Sequence, residues 1–156
     1  MQEKRPSLIK LINNLYRYTQ SYTDNALEKF QLSSGTYPYL LILYENEGIS
    51  QNQISKKLNL DKAMSARAIK RLIELGYLRK DIDIDDSRAY KLFLTDNAKI
   101  IIPEIISEVH KWIYLITKDS NTEQQEFVID FLSKALVNAK AYKINSEEGP
   151  VNTWKE

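Results

Sequence analysis

Between Ser50 and Gly76 the chain writes two short helical patterns with only "NLD" between them, and that spacing limits the fold more than any other feature. "QNQISKKL" directs Ile54 and Leu58 to one side and follows Ser50, a capping residue. "KAMSARAIKRLIELG" follows a second cap, Asp61, and stops at Gly76. Its inward stripe is Ser65, Ala68, Ile69, Leu72 and Ile73. Across so short a turn, Ile54, Leu58, Leu60, Ile69 and Leu72 are expected to bury together and fix the two helices across each other. Lys62, Ala63, Ala66, Arg67, Lys70 and Arg71 lie mostly off the stripe and so face outward. "YLRKDID" and "AYKLFLT" then alternate with period two, which predicts an antiparallel hairpin with Leu78, Leu92 and Leu94 on one side and an acidic turn around Asp85 to Ser87. Helix, tight turn, basic helix and hairpin, in that order, describe a winged helix-turn-helix.

The flanking segments read as long helices, in keeping with only four glycines and four prolines in 156 residues. Ser7 is the expected cap of the first, whose apolar face runs Leu8, Leu11, Ile12, Leu15, Tyr18 or Thr19, Tyr22, Ala26 and Phe30 before "LSSG" breaks it. A buried helix is expected from near Thr36, with Gly48 as its stop. After the hairpin, Thr95 or Asp96 caps a helix bearing Ile101, Ile105, Val109, Trp112, Ile113 and Ile116. "TKDSNTEQQ" interrupts, and a last helix carries Phe127, Val128, Phe131, Leu132, Ala135, Leu136, Ala139 and Tyr142. Ile100, Ile101, Ile102, Ile105 and Ile106 spread apolar surface over more than one face, so that helix needs two partners. The expected fold is mainly α with a small β-hairpin wing: a winged helix-turn-helix lobe over 32–95, a helical region over 1–31 and 96–145, and a frayed tail over 146–156.

Charge is unevenly spread. Ten basic residues face six acidic ones between Ser50 and Thr95, a net of +4, whereas seven lysines face ten acids from Asp96 onward, a net of −3. The basic part suits an anionic partner. With no cysteine there is no disulfide, thiolate metal site or thiol redox switch, and His110 is the only histidine. No phosphate-cradling glycine loop, metal cluster or nucleophile–base set is present, and the adjacent Asp85 and Asp86 do not define a catalytic site, so no enzyme, metal or cofactor is expected. The sequence contains no signal-peptide pattern and no apolar run near the ~20 residues of a membrane span, making a cytoplasmic location the default.

"ISQNQISKKLNLDKAMSARAIKRLIELGYLRK" and "DIDDSRAYKLFLT" resemble the MarR (multiple antibiotic resistance regulator) family of winged-helix transcription factors. The second stretch matches the family's Asp-x-Arg and Leu-Thr wing pattern at Asp86, Arg88, Leu94 and Thr95. The resemblance implies a regulator of double-stranded DNA, commonly a repressor. Arg88 would enter the minor groove, held in direction by Asp86. Lys62, Ala63, Met64, Ala66, Arg67, Lys70 and Arg71 would lie at the major groove, with Ser50, Gln51 and Gln53 at a phosphate. Asp81, Asp83 and Asp85 have no counterpart role. Met64 and Ser65 stand where the family often has a small polar residue followed by an apolar one, and Ala98 where a glycine is usual.

The resemblance also implies a homodimer, interlocked through 1–31 and 96–145, on a pseudo-palindromic site. Members commonly bind small aromatic or amphipathic effectors, for which Tyr16, Tyr22, Tyr37, Tyr39 and Trp112 are candidates, although packing is the reading favoured for most of the chain's aromatic residues. The alternative is the same fold serving a protein partner instead of DNA, which would not need a basic face.

Overall fold

The computed structural model describes residues 7–82 and 90–147, with side chains through 143. The described residues form six α-helices, a short 3-10 helix (Glu28–Phe30) after the first, and one hairpin, in the order α1 (Leu8–Leu27), α2 (Tyr37–Glu45), α3 (Gln51–Leu58), α4 (Lys62–Glu74), β1 (Leu78–Ile82), β2 (Tyr90–Leu94), α5 (Asp96–Thr117) and α6 (Thr122–Glu147). The chain divides into two compact units, Met1–Trp112 and Ile113–Glu156. The wing turn around Asp85 to Ser87 and most of the tail lie outside the described residues.

Caps explain most of the boundaries. Ser7 Oγ accepts from Lys10 N and starts α1. Ser50 and Gln53 form a reciprocal capping box at α3, and Asp61 Oδ1 accepts from Met64 N at 2.7 Å to start α4. Asn59, at φ 55°, turns the chain left-handed between those helices. Asn121 and Gln124 form a second reciprocal pair at the start of α6.

Two expectations are corrected here. Gly48 does not stop α2, which ends at Glu45 and is closed by Asn46, whose amide nitrogen donates to the Ile42 carbonyl. At φ 79°, Gly48 instead bends the chain so that Ile49 makes an isolated antiparallel bridge to Leu92 beside the two-stranded sheet. Leu60 is 36% exposed, not buried, because the left-handed turn at Asn59 places it at the surface of the α3–α4 corner.

The core lies in the first unit. Leu27, Leu32, Tyr39, Leu40, Leu43, Ile54, Ala68, Ile69, Leu72, Leu78, Leu92, Leu94, Ala98, Ile102 and Ile105 form one buried cluster. The expected stripe of α4 is buried as written, with Ile73 only partly covered. The hairpin pairs Leu78 with Leu94 and Lys80 with Leu92. Its base is therefore buried, while Ile82 and Tyr90 at the far end are exposed. On α5 the buried residues are Ala98, Ile102 and Ile105, whereas Ile113 and Ile116 are exposed. No described side chain of α6 is buried.

Candidate nucleic-acid interface

Burial sorts α4 into two faces. Ser65, Ala68, Ile69 and Leu72 are buried, and Lys62, Ala63, Met64, Ala66, Arg67, Lys70 and Arg71 are all exposed. The cationic residues are therefore not drawn into the fold. Lys62 and Arg67 have no ion pair among the described residues, and Lys70 makes only a loose 4.0 Å approach to Glu74, one turn on. An exposed pair of that kind contributes about 0–1 kcal/mol, too little to withdraw Lys70 from an anion. Arg71 is partly committed, since its Nη2 donates to Gln31 Oε1 at 3.3 Å.

The start of α3 is built from its own side chains. Ser50 Oγ accepts from Gln53 N, and Gln53 Oε1 accepts from Ser50 N at 2.8 Å. Gln51 Nε2 donates to the Lys62 carbonyl at 3.3 Å, tying the first turn of α3 to the first turn of α4. The sequence pattern held no sign of that link.

The hairpin is anchored at its base by residues the motif only partly marks. Thr95 Oγ1 donates to the Gly76 carbonyl at 2.6 Å and accepts from Ala98 N, while Thr95 N donates to the Tyr77 carbonyl. One residue thus closes the hairpin and starts α5. Gly48 N donates to the Leu92 carbonyl, and Leu92 N donates to the Ile49 carbonyl. Glu47, which sequence reasoning missed, accepts from Leu94 N at 3.1 Å and pairs with Lys99 at 3.3 Å. Along the strands Arg79 lies over the Phe93 ring and pairs with Asp81, and Lys80 lies over Tyr90. Asp81 thus acquires a partner that the sequence reading did not supply. Asp83, Asp85, Asp86 and Arg88 lie outside the described residues.

Of the aromatic candidates, Tyr22 and Trp112 are brought together. Tyr16 is exposed. Tyr22 stacks on Trp112 with centroids 4.7 Å apart, and its hydroxyl donates to Glu108. Burial and the Glu108 carboxylate hold that hydroxyl above the usual tyrosine range. Trp112 Nε1 donates to Thr19 Oγ1, so this cluster fastens the later half of α1 to α5. Tyr37 is partly buried, and desolvation raises its hydroxyl's pKa. Tyr39 is closed to solvent, its hydroxyl 3.1 Å from Ser65 Oγ. A cavity of about 220 Å³ opens instead between α2 and α5, lined by Leu41, Tyr44, Glu45, Ile106, Val109 and His110.

A capped helix pair, a basic second helix facing outward and a base-anchored hairpin define a winged helix-turn-helix protein. The sequence matches the MarR family over residues 32–90. It is 35% identical over 123 residues to the HTH-type transcriptional regulator BilQ of Clostridioides difficile, covering 78% of this chain and 83% of that one. Among solved structures, a MarR transcriptional regulator from Methanosarcina mazei superposes with a TM-score of 0.78 at 32% identity, over 85% of this chain and 96% of that chain. A MarR family regulator from Listeria monocytogenes, solved with 26mer DNA, superposes at 0.86 with 23% identity, over 96% of this chain and 99% of that one. This chain belongs to the MarR family and is a DNA-binding transcriptional regulator of the winged helix-turn-helix class. No described helix is long and apolar enough to cross a membrane.

Proposed function

We propose that the protein is a homodimeric repressor of a pseudo-palindromic DNA site, released by a small aromatic or amphipathic ligand. The observation that carries the DNA contacts is the division of α4, with each of its predicted contact residues exposed and Ser65, Ala68, Ile69 and Leu72 buried opposite. In this reading Arg67 meets base edges, while Lys62, Lys70 and Arg71 neutralise phosphates. Ala63, Met64 and Ala66 keep the helix face low enough for close approach. Ser50, Gln51 and Gln53 bring the start of α3 to the backbone, their side chains braced by one another and by Lys62. Arg88, oriented by Asp86, enters the adjacent minor groove. The Listeria protein of the same fold was solved with DNA, which supports DNA as the partner.

The dimer rests on exposed apolar surface. Leu8, Leu11, Ile12 and Leu15 on α1 are 41–51% exposed, and Phe127, Phe131, Leu132 and Leu136 on α6 are 41–70% exposed. Exposed apolar residues repeated along a helix, on α1 and separately on α6, support an association site on each. Two-fold symmetry then sets half-sites about one helical turn, roughly 10 base pairs, apart. The cavity between α2 and α5 is where we place the ligand, because its floor is apolar and its rim carries Tyr44, Glu45 and His110.

The test is binding of the purified protein to DNA from upstream of its own coding sequence, at 50 and 200 mM salt, with and without a panel of phenolic compounds. Binding should weaken by orders of magnitude at the higher salt. Salt-insensitive or absent binding would favour a protein partner, and indifference to every compound would remove the effector.

A further inference from the structure

A recognition helix discriminates bases only if it is held at one rotation about its own axis. Side chains on an α-helix end about 5–6 Å from the axis, so a turn of ~20° displaces them by about 2 Å. Recognition geometry tolerates about 0.5 Å. The apolar contacts that seat α4, made by Ala68, Ile69 and Leu72, are non-directional and accommodate small rotations. A hydrogen bond is directional and accommodates much less.

One such bond crosses from α4 into the core. Tyr39 on α2 and Ser65 on α4 are both 0% exposed, and the tyrosine hydroxyl donates to Ser65 Oγ at 3.1 Å. Among the described residues the other buried hydroxyls bond within their own helices: Thr23 to the Thr19 and Gln20 carbonyls, and Ser55 to the Gln51 carbonyl. Gln51 also reaches α4, at the Lys62 carbonyl, but that contact is exposed and water can replace it. Ser65 lies between Met64 and Ala66 and two residues before Arg67, all on the outward face, so it sits directly behind the surface it would set.

We propose that the buried Tyr39–Ser65 hydrogen bond fixes the azimuth of α4, making both residues positioning residues for base discrimination rather than for affinity. The proposal rests on the DNA-binding reading above. It gives Ser65 a function as a hydroxyl on an otherwise apolar stripe. It also separates two properties that mutations at the surface would change together. Rotation of α4 moves the reading side chains relative to base edges, yet leaves the exposed cations able to settle on phosphates.

The experiment uses the full-length protein and Tyr39→Phe, Ser65→Ala and the double variant. A duplex enriched from random-sequence DNA by the wild type serves as the specific probe, and a scrambled duplex of equal composition as the non-specific one. Both affinities are measured across a salt series, well below every variant's melting temperature. Each single variant is expected to lower the specific-to-non-specific ratio about tenfold, the size of one lost base contact, with non-specific affinity and salt slope unchanged. The double variant, an apolar pair, should melt closer to the wild type than either single variant, because no buried hydroxyl is left unpaired. Its discrimination should nevertheless stay lost. A ratio that is retained in either single variant, or that returns in the double variant, overturns the proposal. A salt slope that falls along with the ratio also overturns it, since phosphate contacts would then be the cause. Failure of the wild type to enrich any sequence would sink the DNA reading instead, and so is distinguishable from failure of the positioning role.

Discussion

The winged lobe and the last helix are made from similar proportions of apolar residues but use them in opposite ways. In the lobe, Leu40, Leu43, Ile54, Ile69, Leu72, Leu78, Leu92 and Leu94 are at most 4% exposed. On α6, Phe127, Val128, Ile129, Phe131, Leu132, Leu136 and Val137 are 41–70% exposed, and no described side chain is buried. One region completes its core within a single chain, whereas the other leaves its described apolar side chains uncovered, half of a shared core in the dimer proposed above. Apolar residues at helical spacing show which faces will be covered. They do not show whether the cover comes from the same molecule.

The comparison breaks most decisively at α6. Leu132→Asp with Leu136→Asp places two carboxylates on one face, and in an interface each uncompensated charge costs several kcal/mol. The double variant should sediment as a monomer at concentrations where the wild type is a dimer, with helical content retained in circular dichroism. A wild type that is itself monomeric, or a variant that still dimerises, would show that this face is not an interface.

A smaller effect sharpens the contrast within one chain. In that monomeric background, Leu72→Ala should lower the lobe's stability by about 2–5 kcal/mol, the usual cost of a cavity in a closed core. Val137→Ala, at a position 64% exposed, should change it by less than ~0.5 kcal/mol. Equal losses in denaturant titrations of the two variants would mean that α6 is already packed in the monomer.

Arg88→Ala tests the functional end of the lobe at the level of about 1–3 kcal/mol, read as a five- to hundredfold loss of affinity for the enriched duplex. Dimer mass and melting temperature should not change. Unaltered affinity would take the wing out of the interface and leave α4 to act alone.

Much of this was legible because it is local. Ser7, Ser50 and Asp61 announced helix starts, and each side chain does accept from the backbone three residues on. The period of Ser65, Ala68, Ile69 and Leu72 is enough to give the buried side of α4, and hence its outward side. Leu78, Leu92 and Leu94 were assigned one face by alternation and are all buried. What could not be read was contact over long separations. Gly48 carries the composition of a helix stop, yet its positive φ serves a bridge to Leu92, forty-odd residues later. Leu60 counts as apolar in any periodicity, but a left-handed residue before it moved it to the surface. The aromatic residues were read as packing for most and as effector candidates for five, and residue type alone did not name their partners. Instead, Tyr22 and Trp112 bind each other, and Tyr39 binds Ser65, across 26 residues of sequence in the latter case.

Glu47 is the clearest of these long-range contacts and gives the smallest testable effect. It stands just past the Asn46 cap of α2, in a stretch whose residue types suggest only a polar turn, "ENEG". In the fold its carboxylate accepts from Leu94 N at the end of the hairpin and pairs with Lys99 on the first turn of α5. The Lys99 pair is well exposed and is worth little, about 0–1 kcal/mol. The bond to Leu94 N matters more, because without it a part-buried amide at the wing base has no acceptor. Glu47→Ala should therefore lower stability by about 1 kcal/mol, and Glu47→Gln, which keeps an acceptor and drops the charge, should recover most of the loss. If glutamine behaves like alanine, the ion pair and not the amide bond holds the wing to α2. The hairpin base would then loosen with added salt, and hydrogen exchange at Leu94 N read across a salt series decides between the two.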